Sequence, residues 1–314
     1  MRDALDDLLG RMHVEGSWYA ALKALGPWAV TFETAPLARL VIVVEGTCLL
    51  TSPDVEAPME LSAGDCIVVQ PGIGFSLQDR LGRPAMHCEA VFARAIGREA
   101  TVGESGPVTA IQSGRFSFDA AAAEPLMPLL PPILRIRLDE ERSAAVRATL
   151  NLMAAESDGD GMGAGSIIDR LADVLFIQVL RAWCAADDGP GAGWIAALRV
   201  PSLAVALRAL HSDLARPWTV ADLAREAAMS RSAFAALFRD VVGEPPLSYL
   251  TSWRVYRAKA LLKETRHSLS EIAVSVGYDS DTALSRAFRR FETLPPGAWR
   301  RAQTGGPRPK DQRF

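Results

Sequence analysis

The sequence predicts an α+β protein of two domains, a β-barrel with a following helix pair and then an all-α domain with two helix-turn-helix units. Short apolar runs between Gly, Pro and Asp fill the first half of the chain, which is the pattern of small strands. Helical spacing fills the last third, where one helix-turn-helix pattern occurs twice. The predicted boundaries are 1–186 for the first domain, 187–200 for a linker, 201–302 for the second domain and 303–314 for a disordered tail.

The C-terminal repeat consists of WTVADLAREAAMSRSAFAALFRD from Trp218 and HSLSEIAVSVGYDSDTALSRAFRR from His267. In each copy a Ser or Thr precedes an acidic residue by three positions, the pattern of a capping box at a helix start. A turn follows the first helix, at Ala228 in one copy and at Gly277 in the other. Gly accepts positive φ, whereas Ala228 would bear about 1 kcal/mol of strain there, which we expect the fold to tolerate.

The second helix of each copy is the predicted recognition helix for a DNA major groove. Ser230 is the predicted N-cap of the first, and Asp281 is read as a cap of the second, with a cytosine contact as the alternative. The first helix exposes two alanines, so base readout there must depend on Arg231, Ser232 or methyl contacts with thymine. In the second helix Arg286 is the candidate for a guanine contact. The predicted DNA-binding residues are Arg231, Ser232, Ala235, Ala236, Asp281, Thr282, Ala283 and Arg286.

Charge is distributed unevenly along the chain. Residues 201–314 contain 18 Lys and Arg against 11 Asp and Glu, a net charge of +7, whereas residues 1–200 carry a net charge of −10. A basic segment in an otherwise acidic chain is suited to phosphate contacts. The net charge of the whole chain, −3, does not show this uneven distribution. An ordinary helical bundle and a nonspecific architectural DNA binder are the alternatives, and the repeated caps and turns argue against both.

Residues 201–302 resemble the DNA-binding domain of the AraC/XylS family of bacterial transcription regulators. Besides the two units, the resemblance is carried by WRVYRAKALL from Trp253, VGYDS from Val276 and PGAWR from Pro296. The helix predicted at 247–264, which joins the units, would be about 27 Å long. Two residues depart from the family pattern, Glu292 at an apolar position and Thr293 at a Gly position. The resemblance implies a sequence-specific regulator that binds double-stranded promoter DNA, with RNA polymerase as a possible further partner.

The first half has the strand pattern of a small antiparallel barrel. Strands are predicted in LVIVVEGTCLL from Leu40, ELSAGDCIVVQPG from Glu60 and HCEAVFA from His87. GDCIVVQPGIGF from Gly64, with SGRFSFD at Ser113 and PLMPLLPPIL at Pro125, resembles the cupin sensor half of an AraC subfamily. Phe75 replaces one metal-ligand histidine of cupins and only His87 remains nearby, so we predict no metal, no cofactor and no catalytic residue. A cupin-type enzyme with accessory helices is the alternative.

The interior of the barrel is the predicted effector site. Ile67, Val69, Phe75 and Phe92 are expected to face inward and to line a dry pocket for a small organic effector. The alternative is a barrel whose core is simply filled by these side chains.

Thiol-based redox sensing is a further alternative for the same domain. Cys48 and Cys66 have apolar neighbours, which raise the pKa of a thiol and keep it inert. Cys88 lies between His87 and Glu89, so it is the redox candidate. None of the four cysteines has the spacing of metal ligands.

Two helices are predicted after the barrel, at 140–156 and 166–185, with a flexible turn between them. The second helix carries an apolar stripe wider than one neighbour would cover. In AraC relatives such a pair forms the dimer contact, so a homodimer is predicted, and packing on the barrel alone is the alternative. The stripe comprises Ile167, Leu171, Val174, Leu175, Val179 and Ala182.

The sequence contains no apolar run of the roughly 20 residues that a membrane span needs. Its first ten residues are acidic and lack the basic and apolar segments of a secretory leader. We therefore predict a cytoplasmic, one-component regulator without a membrane partner.

Overall fold

The structure is a computed structural model, and it describes residues 8–10, 12, 14–96, 98–118, 120–158, 161–186 and 191–304. The chain divides into two compact units. The sheet-rich unit comprises Arg11–Pro190, and the helical unit comprises Gly191–Phe314 with Met1–Gly10. The predicted α+β architecture of two domains is confirmed. Within the described residues, no helix combines the length and the apolar character needed to cross a membrane.

The described strands of the sheet-rich unit form two sheets. They are β1 Val14–Leu25, β2 Ala29–Phe32, β3 Ala38–Glu45, β4 Thr47–Thr51, β5 Met59–Ser62, β6 Asp65–Val69, β7 Phe75–Gln78, β8 Met86–His87, β9 Glu99–Val102, β10 Val108–Phe118 and β11 Ile133–Arg137. The first sheet has the order β11-β6-β3-β10-β1-β9, and the second has the order β5-β4-β7-β2-β8. The sheets are separate, and the pairs β1·β9 and β2·β8 are parallel, so the predicted barrel is neither closed nor wholly antiparallel.

The main core of this unit lies between the two sheets. Alternate residues of β3, such as Val41 and Val43, are buried against residues of the second sheet, such as Val30 and Leu77. The residues between them face the opposite side and are also buried, since β3 is central in its sheet. A strand buried on both faces must be apolar throughout, which explains the continuous run LVIVV.

The segment HCEAVFA does not form the strand that its apolar residues suggested. Only Met86–His87 pairs with β2, and Cys88–Phe92 is a short helix. The side chains of Cys88, Val91 and Phe92 pack against the core. Their spacing of three and four positions is helical, and this spacing rather than strand alternation determines the local structure.

The predicted helix pair is observed at Glu140–Asp158 and Ala164–Ala185. The second helix packs on β1, and its Phe176 contacts Phe116 and Phe118 of β10, with ring centroids 5.9 and 4.7 Å apart. The pair therefore covers the outer face of the first sheet.

The helical unit begins earlier than predicted. Residues 187–190 lie outside the described residues, but Trp194–Ala197 form a helix whose four residues are all buried. The Trp194 ring meets that of Trp253 edge-on at 5.5 Å. The predicted linker is therefore corrected: Trp194, Ile195, Ala196 and Ala197 are buried in the helical unit.

The described residues 198–304 of the helical unit form seven further helices. They are Pro201–Ser212, Val220–Glu226, Arg231–Val242, Pro246–Glu264, Leu269–Ser275, Asp281–Phe288 and Pro296–Thr304. The last helix extends into the segment predicted as a tail, and residues 305–314 lie outside the described residues.

Candidate nucleic-acid interface

Each helix-turn-helix unit starts with a complete capping box. The Thr219 hydroxyl accepts a hydrogen bond from the amide of Asp222 at 3.1 Å, and the Asp222 carboxylate accepts one from the Thr219 amide at 3.0 Å. Ser268 and Glu271 repeat the arrangement at 3.2 and 2.7 Å. These hydrogen bonds stabilise the ionised carboxylates and lower the pKa of both acids. Both predicted capping boxes are confirmed by this geometry.

The turns differ between the two units as the sequence predicted. Ala228 has a φ of 53° and is the one residue other than Gly with positive φ in the described part of the chain. Gly277 has a φ of 85°, and a Cβ there would lie 2.5 Å from the carbonyl oxygen of Ala215. Gly277 is thus required by both conformation and space, whereas the first turn accommodates a methyl group.

The first recognition helix is Arg231–Val242. The hydroxyl of Ser230 accepts a hydrogen bond from the Ala233 amide, which makes Ser230 the N-cap as predicted. The buried rings of Phe234 and Phe238 hold the helix on the domain core. The predicted contact residues lie on its outer side: Arg231, Ser232 and Ala236 are exposed, and Ala235 is half-buried.

The second recognition helix is Asp281–Phe288. Its N-cap is Ser280, whose hydroxyl accepts from the Ala283 amide at 3.1 Å, so the prediction that Asp281 caps the helix is wrong. Asp281 is the first helical residue, where its carboxylate lies near the positive end of the helix dipole. Of the predicted contact residues, Asp281, Thr282 and Arg286 are exposed and Ala283 is half-buried.

Further exposed arginines, which the sequence patterns did not indicate, lie beside the predicted contact residues of both recognition helices. Arg239 follows Ala235 by four positions and lies on the same helix face, where it helps to line a surface depression of about 390 Å³. Arg289 and Arg290 are exposed directly after the second recognition helix. The spacing from the predicted contact residues is the signal that identifies Arg239.

The connecting helix, Pro246–Glu264, holds the two units together. Its Tyr249 and Trp253 are buried, and the Tyr249 hydroxyl lies 2.8 Å from Nε2 of His211. Two arginines tie the chain before each unit to the helix after it. Arg254 donates to the carbonyl oxygens of Leu214, Ala215 and Arg216, and Arg300 donates to those of Leu262 and His267.

A buried ion pair explains one departure from the family pattern. Lys259 of the connecting helix is 6% exposed, and its ammonium donates to the carboxylate of Glu292. The ammonium also lies 5.8 Å from the ring centroid of Trp299. Glu292 therefore occupies an apolar position because it faces a buried cation.

The predicted effector residues lie in or against the core between the two sheets. Ile67, Val69 and Phe75 are buried in the core between the sheets. Phe92 lies on the short helix rather than on a strand, and it lines a cleft between the sheets that is too narrow for a water molecule. The structure brings the four side chains together in one core among the described residues.

The cysteines of the sheet-rich unit occupy different environments. Burial raises the pKa of Cys48 to about 12, with a further contribution from the charge of Asp65. Burial also raises the pKa of Cys66 far above its usual range. Cys88 is half-buried. Among the described residues, no three His, Cys, Asp or Glu side chains come together in a group that could hold a metal ion.

Comparison with known proteins identifies the family. The sequence model of a family described as Cupin matches residues 3–185, and that of a helix-turn-helix domain family matches residues 223–302. An AraC-like transcription regulator of Streptomyces lividans is 38% identical over 96% of this chain and 99% of its own. The regulator AlkR of Acinetobacter baylyi is 31% identical over 93% of this chain and 97% of its own.

The chain therefore belongs to the AraC-like transcription regulators, with a cupin domain followed by a helix-turn-helix domain. One similar solved structure is the DNA-binding domain of AdpA in complex with a target DNA. It is 36% identical and covers 34% of this chain and 98% of its own, with a TM-score of 0.32.

Proposed function

We propose that the protein is a one-component regulator that reads promoter DNA through both recognition helices and responds to a small-molecule effector held by the sheet-rich unit. The observation that carries the proposal is the doubled, fully capped helix-turn-helix. Each copy exposes the first turns of its second helix, where a major-groove reader contacts base edges. AdpA, whose DNA-binding domain is similar, was solved with its target DNA.

The two recognition helices divide the readout unequally. In the first, Arg231 and Ser232 are exposed beside two alanines, so few groups can hydrogen-bond to bases. In the second, Arg286 and Thr282 are both exposed, and Arg supports bidentate contacts with guanine. We therefore assign more of the base-specific readout to the second helix, and phosphate contacts to Arg239, Arg289 and Arg290.

We also propose that the protein is a homodimer through the helix pair of the sheet-rich unit. The second helix buries Leu175, Val179 and Ala182 of the predicted stripe, while Ile167 and Val174 remain 43% and 44% exposed. This helix thus has a second apolar face, which packing on the sheet does not cover. The same helix of a second protomer can cover this face, since the two surfaces in a two-fold dimer contact are identical and must be self-complementary.

We propose RNA polymerase as a further partner, because many bacterial transcription regulators act by contacting it. We also propose that the protein acts in the bacterial cytoplasm, where promoter DNA is found.

DNA binding of the full-length protein tests the proposal. Genome-wide mapping supplies bound fragments, and each is compared with a scrambled fragment of equal length at about 50 and 200 mM salt. We expect the mapped fragments to bind more tightly at both concentrations, because base contacts persist when phosphate contacts are screened. Equal affinity for mapped and scrambled DNA at both concentrations would contradict sequence-specific binding.

A further inference from the structure

A depression of about 390 Å³ lies on the surface of the first recognition helix, Arg231–Val242. Part of its wall is one face of this helix, whose residues are spaced three or four positions apart. The buried rings of Phe234 and Phe238 occupy a different side and hold the helix on the core. The depression is therefore on the side that a helix-turn-helix presents to the major groove. Its residues from this helix are Ser232, Ala235, Ala236 and Arg239.

Most of the lining of the depression is apolar. Val220 lies on one side, and Pro245 and Leu247 lie at the start of the connecting helix. The two alanines of the recognition helix end at Cβ and have no side-chain hydrogen-bonding group. The Ser232 hydroxyl lies 3.4 Å from that of Ser230, the residue that caps the helix. The middle of the recognition surface therefore offers apolar contact rather than hydrogen bonds.

We propose that this depression reads thymine through its 5-methyl group, and that the DNA block under the first recognition helix contains thymines whose methyl groups contact Ala235 and Ala236. The inference rests on the proposed function, in which both recognition helices enter the major groove. The 5-methyl of thymine is the apolar group in the pattern that base pairs present there, and an alanine side chain contacts it without a hydrogen bond.

The charge around the depression matches DNA. Arg239 lines it and is exposed, and Arg231 is exposed at the start of the same helix, about two turns away. Among the described residues that line the depression, none is acidic. In the major groove the base edges lie between two rows of phosphates, so an apolar floor with a basic rim fits an A·T pair and the phosphate beside it.

Base analogues in the selected DNA test the inference without any change to the protein. Selection from random DNA with the full-length protein supplies the site, and the block of the first helix is the one that Arg286→Ala leaves unchanged. Deoxyuridine then replaces each thymine of this block, which removes only the methyl group. We expect at least one replacement to weaken binding about threefold to fivefold. Deoxyuridine at thymines outside both blocks is the control and should leave the affinity unchanged.

5-Methylcytosine distinguishes a methyl contact from a hydrogen bond. Cytosine at the sensitive thymine lacks the methyl group and presents a donor where thymine presents an acceptor, whereas 5-methylcytosine restores the methyl group alone. We expect cytosine to weaken binding and 5-methylcytosine to recover most of the loss. Binding that no deoxyuridine in the block weakens, or 5-methylcytosine that binds no better than cytosine, would overturn the inference.

Substitutions locate the methyl contact. Ala235→Gln combined with Ala236→Gln fills the depression with polar side chains, and this variant should bind the thymine and deoxyuridine sites equally. If it does not fold, Ala236→Gln alone should reduce the difference. Ala233→Gln, at an exposed residue of the same helix, is the matched control and should keep the wild-type difference. A wild-type difference in the folded double variant would overturn the inference.

The Ser232 hydroxyl is the competing reader of the same block, and Ser232→Ala tests it. This variant is expected to distinguish thymine from deoxyuridine as the wild type does. Loss of this difference in Ser232→Ala would assign the readout to the hydroxyl and overturn the inference. A selected motif whose first block is insensitive to the methyl group contradicts thymine reading alone. If the selection gives no motif, the proposed function fails, and the inference fails with it.

Discussion

Ala228 adopts left-handed backbone geometry at the turn of the first helix-turn-helix, with a φ of 53°. An L-residue with a Cβ is strained in this region, and Gly is not. Since Gly also has more conformational freedom to lose on folding, we expect Ala228→Gly to stabilise the protein by a net ~0.5–1 kcal/mol. Calorimetric unfolding of the full-length protein should give a higher midpoint for this variant.

Ala209→Gly is the matched control for this substitution. Ala209 lies in the interior of the helix Pro201–Ser212, where Gly costs about 1 kcal/mol relative to Ala. Its midpoint should fall. A lower midpoint for Ala228→Gly as well would show that the turn is not strained.

The ion pair between Lys259 and Glu292 is expected to contribute to the stability of the helical unit. Removing one partner leaves a largely buried charge unpaired, so Lys259→Met should cost about 3 kcal/mol of unfolding free energy. Adding Glu292→Leu should recover most of this loss, because an apolar residue then faces an apolar one.

Denaturant unfolding measures both variants, with Lys263→Met as the control at an exposed lysine of the same helix. The control should remain within about 0.5 kcal/mol of the wild type. If the double variant is no more stable than Lys259→Met alone, neutralisation of Lys259 does not explain why Glu292 occupies this position.

At the scale of elements, the second capping box makes stability depend on pH. The Ser268 amide and hydroxyl lower the pKa of Glu271 below its ordinary value of 4.5. A carboxyl whose pKa is lower in the folded state contributes stability above its ordinary pKa and loses it as the pH falls through the folded value. Glu271→Gln keeps the capping pattern without the charge.

Unfolding midpoints measured from about pH 5 to pH 3 test this contribution. The midpoint of the wild type should fall more steeply than that of Glu271→Gln. Glu226→Gln, at an exposed Glu of the first unit, should retain the wild-type slope. Parallel slopes for all three proteins would show that the capping carboxylate does not cause the pH dependence.

Local signals determine how much of the fold could be predicted. Caps, turns and helix starts depend on residues within four positions. The capping boxes, the N-cap at Ser230 and the strain at Ala228 could therefore all be predicted from the sequence. The same rule assigned Asp281 as a cap, although Ser280 directly before it takes that position. For HCEAVFA, composition favoured a strand and the three-and-four spacing favoured a helix, and the helix formed.

Long-range contacts account for what could not be predicted. The partners of Arg254 and Arg300 are carbonyl oxygens 33 to 40 positions earlier, which no local pattern indicates. The pairing of Arg39 with Arg115 depends on strand register across 76 positions. The helix at Trp194–Ala197 was not predicted, because the glycines directly before it are typical of a linker.

At the scale of the molecule, the exposed face of the helix pair predicts self-association. The wild type should sediment at twice the mass of the chain at micromolar concentration. Ile167→Asp combined with Val174→Asp places charges on the apolar face and should give a monomer. Val205→Asp, at a 40% exposed valine of the helical unit, is the control and should remain a dimer. A monomeric wild type, or a dimeric double variant, would contradict the proposed interface.

Selection of binding sites from random DNA by the full-length protein is the most direct test of the two-helix reading of DNA. We expect each half-site of the selected motif to consist of two blocks about ten base pairs apart, one for each recognition helix of a protomer. Arg286→Ala should relax one position in one block at a cost of about 1–3 kcal/mol, and Arg231→Ala should change only the other block. A motif with a single block, or two variants that alter the same positions, would contradict readout by both helices.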